Sequence, residues 1–408
     1  MSSNGSEQRL LLLARGLRGI ADGMISLVLP AYLLTLGYGA VETGLIATAT
    51  LAGSAALTLT VGLYAHRTDG RSLLLAASVL MALTGIAFAL FDDFWPLLLV
   101  ALVGTLNPSA GDVSVFLPLE QAQLSGLAGA SRRTRLFARY SFVGALAGSI
   151  GALAAGLPEV TAQATGIGAR EAWQGAFLAY AATGIAVLLL YRRLPRSACA
   201  QRRPVAPLGP SKRVVINLAA LFSLDAFAGG FVVQSLLALW LLDRFGLSLA
   251  AAGTIFFWTG LLSALSYFAA ARLAERFGLI NTMVFTHLPA NLCLAAVPFV
   301  GDLRWAITLL MVRSALSQMD VPTRTSYVMS VVSPEERPAA ATFTAVPRSL
   351  ASAASPALAG SLLAASGFGW PLVIAGGLKI VYDLLLLALF RHRPPLPEPG
   401  ESDGSGGR

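Results

Sequence analysis

Asp22-Gly-Met-Ile-Ser-Leu-Val-Leu-Pro30 places an acid and a proline inside an apolar run, and the landmarks around it come twice. Gly37, Gly44 and Ala65 return as Gly246, Gly253 and Ala274, each 209 residues on, and Asp22 itself returns as Asp225 after 203. Further along, Asp112-Val113 returns as Asp320-Val321 after 208. One short gap accounts for the spread of offsets. The chain is one unit of apolar segments written twice, with acids at matching stations.

Composition fixes the solvent of those segments. Of 408 residues, 56% are hydrophobic and 12% charged, and mean hydropathy is +0.70, too apolar for a water-soluble domain of this length. A spanning helix needs about 20 mostly apolar residues, and apolar windows predict helices at 14–37, 42–64, 72–91, 95–122, 135–157, 171–191, 214–242, 248–273, 280–300, 304–330, 339–365 and 370–390. The expected architecture is an all-α membrane protein of 12 transmembrane helices. It divides into a six-helix bundle at 1–191, a basic linker at 192–213, a second bundle at 214–392 and a Pro/Gly/Ser-rich disordered tail at 393–408. Asn107, Pro108, Asp112 and Pro118 interrupt the fourth helix, and Arg313, Asp320, Pro322 and Arg324 the tenth. Lipid cannot satisfy such groups, so these helices belong inside the bundle.

The net charge of +8 does not point to nucleic acid, because the basic residues gather at helix ends rather than in a stripe. They gather on one side. Arg67 and Arg71, Arg132, Arg133 and Arg135, seven bases between Arg192 and Arg213, Arg272 and Arg276, and Arg337 fall on alternate connections; the others hold Arg170, Arg244 and Arg304. That asymmetry predicts both termini in the cytoplasm of a bacterial-type inner membrane. Residues 1–8 are short and polar and no cleavage site follows, so the first helix reads as retained rather than as a secretory signal. Cys199 and Cys293 fit neither a disulfide framework nor a metal site, and no cofactor is implied. With no P-loop, H-E-x-x-H or G-x-S-x-G, the chain does not read as an enzyme.

Between the second and third helices stands Gly62-Leu-Tyr-Ala-His66-Arg67-Thr-Asp69-Gly70-Arg71, and between the eighth and ninth Ala271-Arg-Leu-Ala-Glu275-Arg276-Phe-Gly278. Both resemble the G-x-x-x-D-R-x-G-R signature of the major facilitator superfamily. The first copy departs from it, with His66 in place of the aspartate and one extra residue before Gly70. The resemblance covers roughly 10–392 and implies two bundles that rock about a central cavity. Asp22 to Pro30 is similar to the first-helix pattern of that superfamily's drug:proton antiporters. Gly144-x-x-x-Gly148-Ser149-Ile-Gly151 is close to their fifth-helix element with serine for proline, and Ala351-x-x-x-Ser355-Pro356-x-x-Ala359-Gly360 keeps the proline in helix 11. Small residues four apart also bring two helices close on their own account. The antiporters' fourth-helix arginine is missing: Thr105 stands where the second repeat has Arg313.

A gate at the cytoplasmic surface is expected from Gly62, Arg67, Gly70, Arg71, Glu275, Arg276 and Gly278, with Glu120 pairing Arg133 and Glu335 or Glu336 pairing Arg337. Within the spans, Asp22, Asp112, Asp225 and Asp320 fall on helices 1, 4, 7 and 10, which the resemblance implies line the cavity. A charge at the bilayer centre costs about 2.5–3.5 kcal/mol on insertion scales, so such acids are functional by default. Arg18 four before Asp22, Arg324 four after Asp320 and Lys379 four before Asp383 predict local pairs. Asp112 and Asp225 have no base within four positions and are expected to carry the proton, with cross-bundle pairing to Arg313, Arg348 or Arg139 as the alternative. Asn107, Gln234, Gln318, Asn291 and His287 read first as satisfied core groups, and Asn107, Gln234 and Gln318 are the candidate substrate contacts. The expected partners are a small-molecule substrate, protons and the lipid bilayer, with the chain acting as a monomer. Proton-coupled efflux of an amphipathic or cationic molecule follows from the resemblance. Proton-coupled uptake and a non-transporting scaffold or sensor are the alternatives.

Overall fold

A computed structural model of the chain describes residues 2–64, 69–109, 114–127, 130–195, 208–333 and 336–391. The described residues form helices and connections without a strand. In the first half, α1 is Ser2–Thr35, α2 Ala40–Tyr64, α3 Gly70–Leu90, α4 Phe94–Val103, α5 Phe116–Leu127, α6 Ala130–Ala154, α7 Leu157–Thr165 and α8 Ala169–Tyr191. In the second, α9 is Lys212–Gly230, α10 Gln234–Phe245, α11 Leu249–Phe277, α12 Leu279–Ala296, α13 Leu303–Ser317, α14 Asp320–Ser330, α15 Arg337–Ala354, α16 Pro356–Ala365 and α17 Trp370–Phe390. Joined across their breaks, these are the twelve predicted spans. Span 4 is α4 with α5, span 5 α6 with α7, span 7 α9 with α10, span 10 α13 with α14, and span 11 α15 with α16.

The breaks follow from local chemistry. Pro158, Pro322 and Pro356 fall in the first turn of α7, α14 and α16, where a missing N–H costs no helix bond. Among the described residues nine stretches are long and apolar enough to cross a membrane, and spans 4, 10 and 11 are not among them. Several boundaries differ from the sequence reading: spans 5 and 7, expected unbroken, are interrupted between Ala154 and Leu157 and between Gly230 and Gln234, and span 5 continues to Thr165. The first helix starts at Ser2 rather than near residue 14, its polar turns continuing the helix beyond the apolar run. Span 11, expected unbroken, is interrupted at Ser355.

The duplication is visible in the packing. α1 lies on α6 as α9 lies on α15, and α3 lies on α8 as α12 lies on α17. The repeated glycines have physical jobs. Gly37 and Gly246 adopt φ of 88° and 61° in the turns after spans 1 and 7, a region glycine enters without a Cβ penalty. Gly44 and Gly253 sit at the two seams between the bundles. A Cβ on Gly44 would lie 2.5 Å from the Pro356 carbonyl oxygen, and one on Gly253 would lie 2.5 Å from that of Ala152.

Those seams join α2 to α16 and α6 to α11, at the end of the molecule away from the termini. There the Ala357 N–H donates to Thr48 Oγ1 at 2.9 Å. At the terminus-bearing end, α5 packs on α1, α3 and α6, and α14 on α11, α12 and α15; neither forms an interface with the opposite bundle among the described residues.

Candidate functional site

In the first bundle, Arg18 on α1 and Glu120 on α5 form a fully buried ion pair. Tyr140 of α6 donates its hydroxyl proton to Glu120, and Tyr191 of α8 does so at 2.5 Å. Four elements therefore converge on one carboxylate. The Arg18 guanidinium lies over Phe116, 4.1 Å from the ring centroid, and Arg15 over Tyr140 at 5.1 Å, contacts that keep buried cations in favourable electrostatic surroundings. Gly144 makes room for Arg15, since a Cβ there would come 2.2 Å from its Nε. Nearby glycines bring the helices together: a Cβ on Gly23 would lie 2.1 Å from the Gly148 oxygen, and one on Gly151 would lie 2.0 Å from that of Ile20. Asp22 is buried, and its charge acts on Arg18 and Tyr180.

This arrangement corrects two expectations. Glu120 is not a surface partner of Arg133: it is wholly buried and taken by Arg18 and two tyrosines, while the Arg133 side chain lies outside the described residues. Arg18, expected beside Asp22 on its own helix, spends its hydrogen bond on Glu120. The missed signal was an acid on a predicted span with no base within four positions.

The second bundle holds the same kind of link with the signs exchanged. Asp225 on α9 receives Lys379 Nζ of α17 at 2.5 Å and Arg324 Nη1 of α14 at 3.3 Å, and Arg324 also binds Asp320 one turn back. Asp320 opens α14, where a carboxylate is favoured by the helix dipole, and Arg324 stacks 5.3 Å from the Phe222 centroid. Span 1 thus carries the cation and span 4 the anion, whereas span 7 carries the anion and span 10 the cation. Asp225 is not the unpaired acid that local spacing implied; both its bases come from other helices. Lys379 reaches it in place of Asp383, whose oxygens accept from His287 Nδ1 and Asn291 Nδ2, each at 2.9 Å. The repeat partner Asp112 lies outside the described residues. The ion pairs seen between described residues close within one bundle, and Asp225 and Asp320 are held there rather than by Arg313, Arg348 or Arg139; any such pairing of Asp112 lies outside the described residues. Buried Arg313 Nε has no hydrogen-bond partner among the described residues.

The three expected substrate contacts all fall at breaks. Asn107 is buried in the gap of span 4, accepting from the Ser109 N–H and hydroxyl at 3.1 Å. Gln234 opens α10 after the gap of span 7. Gln318 caps α13 in span 10 and accepts from Tyr267 at 3.4 Å. Two of these gaps touch across the bundles, where the Ser235 N–H donates to the Pro108 carbonyl at 3.0 Å. Discontinuous helices near the middle of a bundle offer unsatisfied backbone groups to a ligand.

The gate residues stand at the terminus-bearing end. Arg71, next to Gly70 at the start of α3, donates to the Arg192 carbonyl at the end of α8 at 2.6 Å, within one bundle. Glu275, Arg276 and Gly278 are exposed. The Glu336–Arg337 pairing does not form: Glu336 accepts from the Gly209 N–H of the linker and the Ser333 hydroxyl, while Arg337 Nε donates to the Met329 carbonyl at 3.1 Å. The Ser211 hydroxyl, the Gly209 N–H and Ser333 hold the Glu336 carboxyl below the usual glutamate range. Arg67 and Glu335 lie outside the described residues, as do the surroundings of Gly62.

The sequence profile described as Major Facilitator Superfamily matches residues 11–318 and 220–407. An uncharacterized membrane protein of Saccharomyces cerevisiae is 23% identical over 94% of this chain and 93% of its own length. The crystal structure of nucleoside transporter NupG superposes with a TM-score of 0.71 at 15% identity, covering 95% of this chain and all of that one. A bacterial homologue of the human lysosomal transporter Spinster, in an inward-facing and occupied conformation, gives 0.72 at 17%, covering 93% and 94%. At these identities the two structures speak for the fold alone.

Proposed function

The chain belongs to the Major Facilitator Superfamily, and from that premise we propose that it is a proton-coupled secondary transporter that exports a small amphipathic or cationic molecule by alternating access. That it is a multi-pass membrane transporter of this type rests on the family; proton coupling, direction and substrate class are the proposal. One observation carries it. Buried charges are paired inside each bundle, while the bundles meet through apolar and aromatic side chains, glycines, hydroxyls and backbone groups. Breaking a buried ion pair costs about 3–5 kcal/mol, so bundles that keep their pairs to themselves can rock without that loss.

The acids of spans 1, 4, 7 and 10, Asp22, Asp112, Asp225 and Asp320, supply the cavity charge that attracts the substrate, and gain or loss of the coupled proton alternates with substrate binding by changing how that charge is held. The clustering of bases at one end supports cytoplasmic termini in a plasma membrane. In that orientation the seam at Gly44 and Gly253 faces outward. Proteoliposomes with an imposed pH gradient and a panel of labelled amphipathic cations test the proposal. Expulsion of at least one cation, weakened by Asp112→Asn and Asp225→Asn, supports it. Accumulation instead would make the chain a symporter, and unchanged coupling in both variants would remove these acids from the proton path.

A further inference from the structure

We propose that the coupled proton binds at the His287–Asp383 pair, between spans 9 and 12, and that Lys379 reports its presence to Asp225 in span 7. The inference rests on the proton-coupled reading above and places the proton away from the spans expected to line the cavity. His287, Asn291 and Asp383 are all buried. One Asp383 oxygen accepts from His287 Nδ1 and the other from Asn291 Nδ2, each at 2.9 Å. The Asn291 and His287 nitrogens lie 3.1 Å apart. In the tautomer that carries hydrogen on Nδ1 the imidazole donates to an ionised Asp383, and Nε2 is then left to accept a proton. An imidazole is the side chain suited to do so in the neutral range.

The balance is simple. A proton taken at Nε2 converts imidazole to imidazolium, and the pair passes from one negative charge to none; its release reverses this. Lys379 stands one turn before Asp383 on α17, with Nζ on Asp225 at 2.5 Å. When the pair is negative, the ammonium is drawn by two anions. When the pair is neutral, only Asp225 and its neighbours hold it, and span 12 grips span 7 more firmly. The other ionisable groups on elements packed around α12 are Tyr382 of α17, 6.0 Å from the imidazole between ring centroids, Tyr327, Arg324 and Asp320 of α14, Arg304 and Arg313 of α13, and Tyr267, Arg272, Glu275 and Arg276 of α11. Arg324 and Asp320 bind each other, and of the set only Lys379 shares a helix face with Asp383 while holding a residue of span 7.

The protein has three histidines, so His66→Gln with His392→Gln leaves His287 as the only reporter. Nuclear magnetic resonance of histidine-labelled full-length chain in lipid nanodiscs, from about pH 5 to about pH 9, reads the site directly. The expected result is one imidazole whose resonance responds to pH, with a response that changes in Asp383→Asn and, by a smaller step, in Asp225→Asn. A resonance unchanged over the whole range overturns the proposal without any further variant. So does a titration that Asp383→Asn leaves in place, and Lys379→Met tests the link separately: it must abolish the response to Asp225→Asn. No substrate enters the measurement. A titrating pair in a chain that moves no solute would sink the transport reading alone, and a silent pair in a working transporter would sink this site alone.

Discussion

Lys379 reaches sideways from span 12 to Asp225 in span 7, Nζ to Oδ1 at 2.5 Å, and leaves Asp383, one turn along its own helix, to His287 and Asn291. Sequence spacing favoured the local partner. The tertiary one is met because α17 packs on α9, which brings Asp225 to the ammonium, while its packing on α12 brings His287 and Asn291 to Asp383.

Removing one partner of a buried pair leaves the other charge uncompensated, a loss of about 3–5 kcal/mol. Lys379→Met is therefore expected to lower the thermal unfolding temperature in detergent, and Lys379→Met with Asp225→Asn to recover part of it. Equal losses in the single and double variants would show that the pair contributes nothing specific.

The same logic applies in the first bundle, where Glu120 has three donors. Glu120→Gln keeps the shape and removes the charge that faces Arg18, so it is expected to destabilise by several kcal/mol. Arg276→Gln, an exposed position at the end of α11, is expected to leave stability within about 0.5 kcal/mol. Chemical unfolding of the two variants separates the buried pair from an exposed charge.

How much of this was legible beforehand divides along a physical line. Duplication, span count and the broken spans 4 and 10 follow from periodicity and from prolines and charges that lipid rejects, and both are written locally. Gly37, Gly246, Gly44 and Gly253 were visible as landmarks, but only the structure shows two as left-handed turns and two as seams. Partners were not legible. Glu120, Asp225 and Asp383 each find a base or amide on another helix, and same-helix spacing says nothing of which helices become neighbours.

Helix contact in the first bundle depends on Gly23, where a Cβ would lie 2.1 Å from the Gly148 oxygen. Gly23→Ala should force α1 away from α6 and cost stability, in contrast to Gly175→Ala on α8, which meets nothing within 4 Å and removes an unfavourable glycine from a helix. Thermal unfolding of the two variants should move in opposite directions.

Glu336 ties the linker to the start of span 11 through Gly209, Ser211 and Ser333. Because those bonds lower its pKa in the folded state, the stabilisation is present at neutral pH and is lost as pH falls through and below the ordinary glutamate range. Protease cleavage of the linker is expected to quicken in that acid window for the native chain. In Glu336→Gln it should already be fast at neutral pH and change little on acidification.

The central claim is that the two bundles exchange which end is sealed. In a chain with Cys199→Ser and Cys293→Ser, Thr48→Cys marks the seam between α2 and α16, and Thr342→Cys marks an exposed position in α15 near the terminus-bearing end. Labelling from each side of the membrane with an impermeant maleimide, with and without an imposed pH gradient, is the most direct measurement. The account predicts that Thr342→Cys reacts at rest and Thr48→Cys does not, and that the gradient raises labelling of Thr48→Cys as it lowers that of Thr342→Cys. Two labelling rates that stay fixed under both gradient directions would contradict it.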